Sequence, residues 1–172
     1  MINMPRAKVS LILEVLASSA KPLLAVLDGI TAEQLNWKSA PESRSIGEIF
    51  RHLIRVDAWY LKRLGVQPVV SDAKSGMREE LAENIQRIQQ QVQEVVSACA
   101  RDEDLFVERT GLEGKDKEQL GEAALHIAQH DLYHLAQIIY LRRAQDRNWP
   151  SPHEQWDHAT RVIADYLLQR NA

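Results

Sequence analysis

The sequence has little of what several classes of protein require. It contains one cysteine, Cys99, among 172 residues, which excludes an internal disulfide and a metal site made of thiolates alone. Seven glycines and six prolines are few for a chain that turns often, which disfavours a β-sandwich or barrel. The longest apolar runs are too short for a membrane span. We therefore expect an all-α protein in a reducing compartment, and a cytoplasmic location.

The sequence also lacks a strong excess of charge of either sign. The chain carries 24 acidic and 21 basic side chains, a formal net charge of −3, so we expect neither nucleic acid nor a membrane as partner. Arg6 and Lys8 precede an apolar stretch, as in a signal peptide, but Glu14 interrupts that stretch and favours an ordinary first helix. No linker divides the chain, and residues 1–172 are predicted to form one domain.

Apolar residues recur at helical spacing in four long segments and a shorter C-terminal one. The predicted helices are 5–30, 45–65, 77–101, 116–147 and 154–168. Pro22 predicts a kink in the first, Ser45 and Glu48 predict a capping box at the start of the second, and Cys99 lies on the apolar seam of the third. The stretches through 31–44, 66–76 and 102–117 are predicted as connections. The pattern indicates a four-helix bundle with a short additional C-terminal helix.

The fourth predicted helix is apolar on two sides, and so must be covered on two sides. One side carries the histidines, and the other carries apolar residues three or four positions apart: Leu125, Ala128, Leu132, Leu135 and Ile139. The bundle core covers one side. The C-terminal helix or a second subunit is needed for the other, and we expect a homodimer.

The histidines of this helix have the spacing of metal ligands. His130 and His134 lie one turn apart on one face, so two imidazoles can reach one ion. His126 and His130 have the same spacing, and spacing alone does not choose between the pairs. A third ligand must come from another helix, where His52 lies at the edge of the inner stripe. Three histidines with one open position suit a catalytic metal site; the alternative is histidines satisfied by their neighbours.

Two blocks of sequence resemble the DinB-like superfamily of metal-dependent enzymes, which includes bacterial thiol S-transferases. The blocks are SIGEIFRHL (45–53), followed by Asp57 and the pair Trp59-Tyr60, and HIAQHDLYHLAQI (126–138). The resemblance implies a four-helix bundle, frequent dimerisation, and one divalent ion, zinc or nickel. It also implies His52, His130 and His134 as the ligands, with His126 outside them. The chain departs from the family at Arg44, where a tryptophan is common.

These observations predict a metal-dependent enzyme that activates a low-molecular-weight thiol for attack on an electrophilic small molecule. Thiol transfer follows from the resemblance alone. The alternatives are a hydrolase that uses metal-bound hydroxide and a non-catalytic metal-binding dimer. Asp57, on the inner stripe of the second helix, is the candidate catalytic residue, as an acid or base or as the partner of a ligating imidazole. A buried cap or an ion pair with an arginine would explain it equally well.

Two neighbours of the histidines are also candidates for a role. Gln137 lies one turn after His134 on the same face, where it can be a hydrogen-bond partner of that imidazole or a packing residue. Trp59 and Tyr133 border the histidine faces and are candidates to line a pocket. Asp131 points away from His130 on the helix, and we expect no role for it in the site.

Overall fold

The predicted bundle is confirmed in a computed structural model, which describes residues 6–70 and 77–168. Its elements in chain order are α1 (Ala7–Ala25), α2 (Ala32–Asn36), α3 (Ile46–Arg63), α4 (Arg78–Ser97), a 3-10 helix (Asp102–Phe106), β1 (Glu108–Thr110), β2 (Lys117–Gln119), α5 (Leu120–Gln145) and α6 (His153–Leu168). No described helix combines the length and the apolarity that a bilayer crossing requires.

The four long helices α1, α3, α4 and α5 enclose one core. Each of α1 and α3 packs against both α4 and α5, so that α1 and α3 lie at opposite corners. Phe50 and Leu53 of α3, Ile85 and Ile88 of α4 and Leu135 of α5 are fully buried in this core. Their burial is the main stabilising term of the fold, at about 25 cal/mol for each Å² of apolar surface removed from water.

A capping box fixes the start of α3, as the sequence predicts. The Ser45 hydroxyl accepts a hydrogen bond from the Glu48 backbone N–H at 3.2 Å, and the Glu48 carboxylate accepts one from the Ser45 N–H at 2.8 Å. Both bonds satisfy backbone donors that have no partner within the helix. Because α3 begins at a defined residue, His52 is placed at a defined angle, beside buried Leu53.

Two short elements lie where only connections are predicted. Helix α2 begins with its own capping box, in which the Thr31 hydroxyl accepts from the Gln34 N–H and the Gln34 side chain accepts from the Thr31 N–H. Strands β1 and β2 form an antiparallel hairpin, so that α5 begins at Leu120 and not near 116. Arg63 at the end of α3 forms ion pairs with Asp116 at 3.0 Å and Glu118 at 2.8 Å. These tertiary contacts favour the hairpin over an earlier helix start.

The first helix is also shorter than predicted. It contains Pro22 but ends at Ala25, and the chain turns before Ile30 through Gly29, whose φ is +64°. Proline lacks a backbone N–H and glycine adopts positive φ at little cost, so both residues favour an end in this region. Cys99 is buried, as predicted, and it is unpaired.

Both apolar sides of α5 contact other parts of the chain. The side that carries Leu125, Leu132 and Ile139 is half-buried against the core, and α1 and α3 are the principal neighbours of α5. Helix α6 packs mainly along α1. Contacts within the chain therefore cover the apolar second side of α5 in part.

Replacing the cap residue tests its contribution to the fold. We expect Ser45→Ala to lower the free energy of unfolding by about 1 kcal/mol, because a backbone N–H loses its acceptor. For a chain of this size that corresponds to a fall in Tm of roughly 2–4 °C in a thermal melt. The matched control is Ser10→Ala on the exposed face of α1. Equal Tm values for the two variants would contradict this role of Ser45.

Candidate metal centre

The three histidines that the resemblance implies as ligands meet between α3 and α5. His52 extends from α3, and His130 and His134 extend from successive turns of α5. The Nε2 atom of His130 lies 3.2 Å from that of His52 and 3.1 Å from that of His134. One ligand atom of each lies within 4.8 Å of those of the other two. In residues 6–70 and 77–168 this is the one such group of three or more potential ligands.

The spacing of these nitrogens fits a tetrahedral ion. A metal bound at 2.0–2.1 Å by two nitrogens of a tetrahedron holds them about 3.3 Å apart, close to the distances between the Nε2 atoms. Hydrogen bonding alone satisfies the arrangement poorly, because His130 Nε2 faces two other nitrogens and carries at most one proton. The donor set therefore fits a divalent ion with three protein ligands and one position left for another ligand.

The surroundings keep the three imidazoles neutral, which is the form that binds a metal. Burial is the main cause that lowers the pKa of His52 and of His134. Burial, together with the neighbouring imidazoles, lowers the pKa of His130 to about 4. The positive charge of Arg44 lowers the pKa of all three. At neutral pH the site offers three lone pairs and no competing proton.

Gln137 determines which nitrogen of His134 is free to bind. Its Oε1 accepts a hydrogen bond from His134 Nδ1 at 2.8 Å, so that the proton of the neutral ring is on Nδ1 and the lone pair is on Nε2. Of the two roles considered for Gln137, the structure shows the hydrogen-bond partner of His134. By contrast, His130 Nδ1 is buried and has no hydrogen-bond partner among the described residues.

His126 lies outside the triad. Its ring stacks against His130 with centroids 6.0 Å apart and packs on Tyr60 with centroids 5.0 Å apart. The structure thus resolves the ambiguity that spacing left between the two histidine pairs. The reason is the position of His52, which lies beside His130 and His134 and not beside His126.

A cavity of about 1050 Å³ opens beside the triad. Its walls are mainly apolar or aromatic and include Leu132, Tyr133, Tyr140 and Trp156, so α6 contributes to it through Trp156. Tyr133 thus lines a pocket, as one reading of the sequence predicted. Trp59 does not line this cavity; its ring lies under the Arg63 guanidinium at 4.6 Å.

Two carboxyl groups lie in the core between α3, α4 and α5, away from the cavity walls. Asp57 is fully buried, and neither of its oxygens has a hydrogen-bond partner in the described residues. Asp131 is also buried and accepts a hydrogen bond from the Gln89 amide at 3.0 Å. Burial, and secondarily the charge of Asp131, raises the pKa of Asp57 well above its ordinary range. Burial raises the pKa of Asp131 to about 8, although the bond from Gln89 opposes this.

The position of Asp57 narrows its possible roles. It accepts no hydrogen bond from an imidazole and forms no ion pair with an arginine, so neither of those two readings is found in the described residues. The sequence patterns did not indicate that Asp57 and the buried Asp131 influence each other electrostatically. A signal was present, since Ile127, Ala128 and Leu135 lie three or four positions from Asp131 and form part of the core.

Removing the amide that orients His134 is expected to weaken metal binding. Because Gln137→Ala frees the imidazole to change tautomer and rotate, we expect zinc affinity to fall by about 10- to 100-fold. Competition with a chromophoric chelator measures the affinity. Gln90→Ala on the exposed face of α4 is the control and should leave the affinity unchanged. An unchanged affinity in Gln137→Ala would show that the amide does not orient the ligand.

The buried acids are expected to make stability depend on pH. With raised pKa values the folded protein keeps protons that the unfolded chain releases, so stability is lost as pH rises toward 8. The histidines act in the opposite direction, but only below their ordinary pKa of 6.5, where the unfolded chain binds the additional protons. For the metal-free protein we expect the free energy of unfolding to fall between pH 6.5 and 8 by up to about 2 kcal/mol for one proton.

Asp131→Asn should reduce this fall by the share that Asp131 contributes, whereas Asp57 keeps a raised pKa because burial is its main cause. Urea denaturation across the same pH range measures the difference. Glu14→Gln, at an exposed position on α1, should keep it. Parallel pH curves for the wild type and Asp131→Asn would mean that the carboxyl group at 131 titrates as it does in the unfolded chain.

Comparison with known proteins supports the resemblance seen in the sequence. A family model described as the DinB superfamily matches residues 16–138, which include α3, most of α5 and all three histidines. No curated protein and no solved structure matches the chain. The match covers well over half of the 172 residues, and the fold and the histidine cluster agree with the family assignment. The chain therefore belongs to the DinB superfamily.

Proposed function

We propose that this protein is a metal-dependent enzyme that activates a low-molecular-weight thiol for transfer to an electrophilic small molecule. The observation that carries the proposal is the convergence of three neutral imidazoles from two helices at the side of a large cavity. A site that holds an ion only for stability uses all its positions for protein ligands. Here three protein ligands and an adjoining space leave room for a reacting molecule.

A bound divalent ion, which we propose to be zinc or nickel, would act as a Lewis acid and lower the pKa of a thiol. The chain supplies the rest. His52, His130 and His134 hold the ion, and Gln137 keeps the lone pair of His134 directed at it. The aromatic and aliphatic walls of the cavity exclude water from an apolar electrophile, which protects the activated thiol and brings the reactants together.

The composition of the cavity favours thiol transfer over hydrolysis. None of the described residues that line it is a carboxylate, so the cavity offers no acidic side chain as general base for water. A thiol, with its much lower pKa, has less need of a base. Asp57 stays a prediction as an acid or base; its position in the core means that it would have to act through other groups.

Two further expectations enter the proposal. We propose a homodimer formed through the exposed strip of α5, where Tyr133 and Tyr140 leave 62% and 71% of their surface to solvent. We also propose a cytoplasmic location. The reduced Cys99 is compatible with such a compartment, since burial raises the pKa of its thiol and so keeps it unreactive.

The proposal is tested by loading the protein with zinc or nickel and adding a chlorinated aromatic acceptor with bacillithiol, mycothiol or glutathione. We expect thioether formation with at least one thiol, and its loss on chelation. His52→Ala should lose the metal and reduce the rate by more than about 100-fold. That is more than the loss of a residue that only hydrogen-bonds to a metal ligand would cost. The control is His158→Ala at an exposed position of α6, which should keep the bound metal and the reaction rate.

The outcomes separate the candidate functions. A metal-loaded protein with no rate above background for any thiol would overturn thiol transfer. Turnover of esters or amides without thiol, lost on chelation, would instead identify a hydrolase. Metal binding without either activity would leave a non-catalytic metal-binding protein.

A further inference from the structure

Three arginines, Arg44, Arg51 and Arg55, lie just before α3 and along its first three turns. Arg44 lines the large cavity together with the three histidines. The same Arg44 also lines a second, smaller hollow of about 420 Å³, together with Arg51 and Arg55. The two spaces therefore share Arg44.

The positive charge of this region is only partly neutralised by the chain. Four basic side chains and two acidic ones line the hollow, and one of the acids, Glu48, is already paired with Lys38 at 2.8 Å. None of the three arginines makes a hydrogen bond or ion pair within the described residues. The excess is local, because the whole chain has a net charge of −3.

Helix stability does not explain these cations. The N-terminal end of a helix carries a partial positive charge, which favours anions and disfavours cations. Arg44 immediately precedes the N-cap Ser45, and Arg51 lies within the second turn of α3. Arg44 is thus placed where the helix opposes a cation, and Arg51 gains nothing from the helix dipole, in contrast to Arg63, which lies at the C-terminal end with two acidic partners.

The Arg44 charge reaches the metal centre. It contributes to the lowered pKa of each histidine of the triad, so its field extends to the position where the three imidazoles converge. An ion held there and the Arg44 guanidinium would both present positive charge to one cavity. Their mutual repulsion costs metal affinity, whereas a ligand with a negative group between or beside them removes that cost.

We propose that Arg44, supported by Arg51 and Arg55, binds a carboxylate of the small molecule whose other end reaches the ion at the triad. This inference rests on the proposed function and makes it more specific: the thiol that the site accepts is an acidic one. A guanidinium group matches a carboxylate geometrically, with two parallel N–H donors for two oxygens. One guanidinium lines the cavity itself, which suits a ligand with one carboxylate at that end.

The test uses the full-length protein loaded with cobalt(II), because thiolate bound to cobalt gives an ultraviolet charge-transfer band. Mercaptosuccinate and the neutral mercaptoethanol are titrated at low ionic strength. We expect mercaptosuccinate to bind at least about tenfold more tightly than mercaptoethanol. We expect this difference in affinity to shrink at high salt, which screens the charges. Arg44→Gln should abolish this preference and Arg51→Gln should reduce it.

Two controls show whether a change is specific. The visible cobalt bands should show that Arg44→Gln still holds the metal, since loss of a nearby positive charge does not weaken cation binding. Arg161→Gln, an exposed arginine of α6, should keep the full preference. Equal affinities for the two thiols in the wild type, or an undiminished preference in Arg44→Gln, would overturn the carboxylate site.

A thiol-free arm separates this inference from the proposed function. Succinate and the uncharged succinamide are titrated by calorimetry into the zinc-loaded wild type and Arg44→Gln. If neither thiol gives a charge-transfer band but succinate binds in an Arg44-dependent manner, thiol activation fails and the carboxylate site stands. If succinate and succinamide bind equally in both proteins, the carboxylate site fails whatever the thiols do.

Discussion

The structure depends on the close packing of α3 against α5, which places the His130 imidazole within hydrogen-bond distance of those of His52 and His134. Imidazoles at such a contact lose part of their hydration, and the positive charge of Arg44 further disfavours their protonation. Three neutral rings that direct nitrogens at one point are costly in a bundle unless something accepts the lone pairs. A cation is what satisfies all three together, so the histidines are better explained by metal binding than by packing.

Different polar groups lie on the cavity side and on the core side of the histidine triad. Gln137 orients one ligand from the cavity side, and Arg44 adds a charge at the cavity wall. On the core side lie Asp57 and Asp131, which burial keeps protonated up to an unusually high pH. A neutral carboxyl group adds no negative charge on the core side of the triad, so the triad and the arginine together determine the electrostatics that a ligand would meet.

Long-range contacts form the parts of the fold that lie outside the regular helices. The buried Arg142 donates hydrogen bonds to the carbonyls of Val26 and Asp28 after the end of α1, and its guanidinium lies over the ring of Trp149. Arg63 holds the β-hairpin against α3 in a comparable way. In both places a charged side chain from one helix supplies partners for a distant segment, which local sequence patterns do not reveal.

The sequence by itself determined the four long helices, the start of α3 and the histidine set, because helical periodicity and capping are local properties and the two histidine blocks are conspicuous. Spacing alone did not choose between His126 and His134, a choice that rested on the family resemblance, and the sequence did not reveal the hairpin at 108–119 or the electrostatic effect of Asp131 on Asp57. Those features depend on how far one helix is displaced along another and on which side chains then meet, and only the tertiary structure decides that. The same holds for Arg44, an exposed side chain whose position beside the metal centre follows from the packing of α3 on α5.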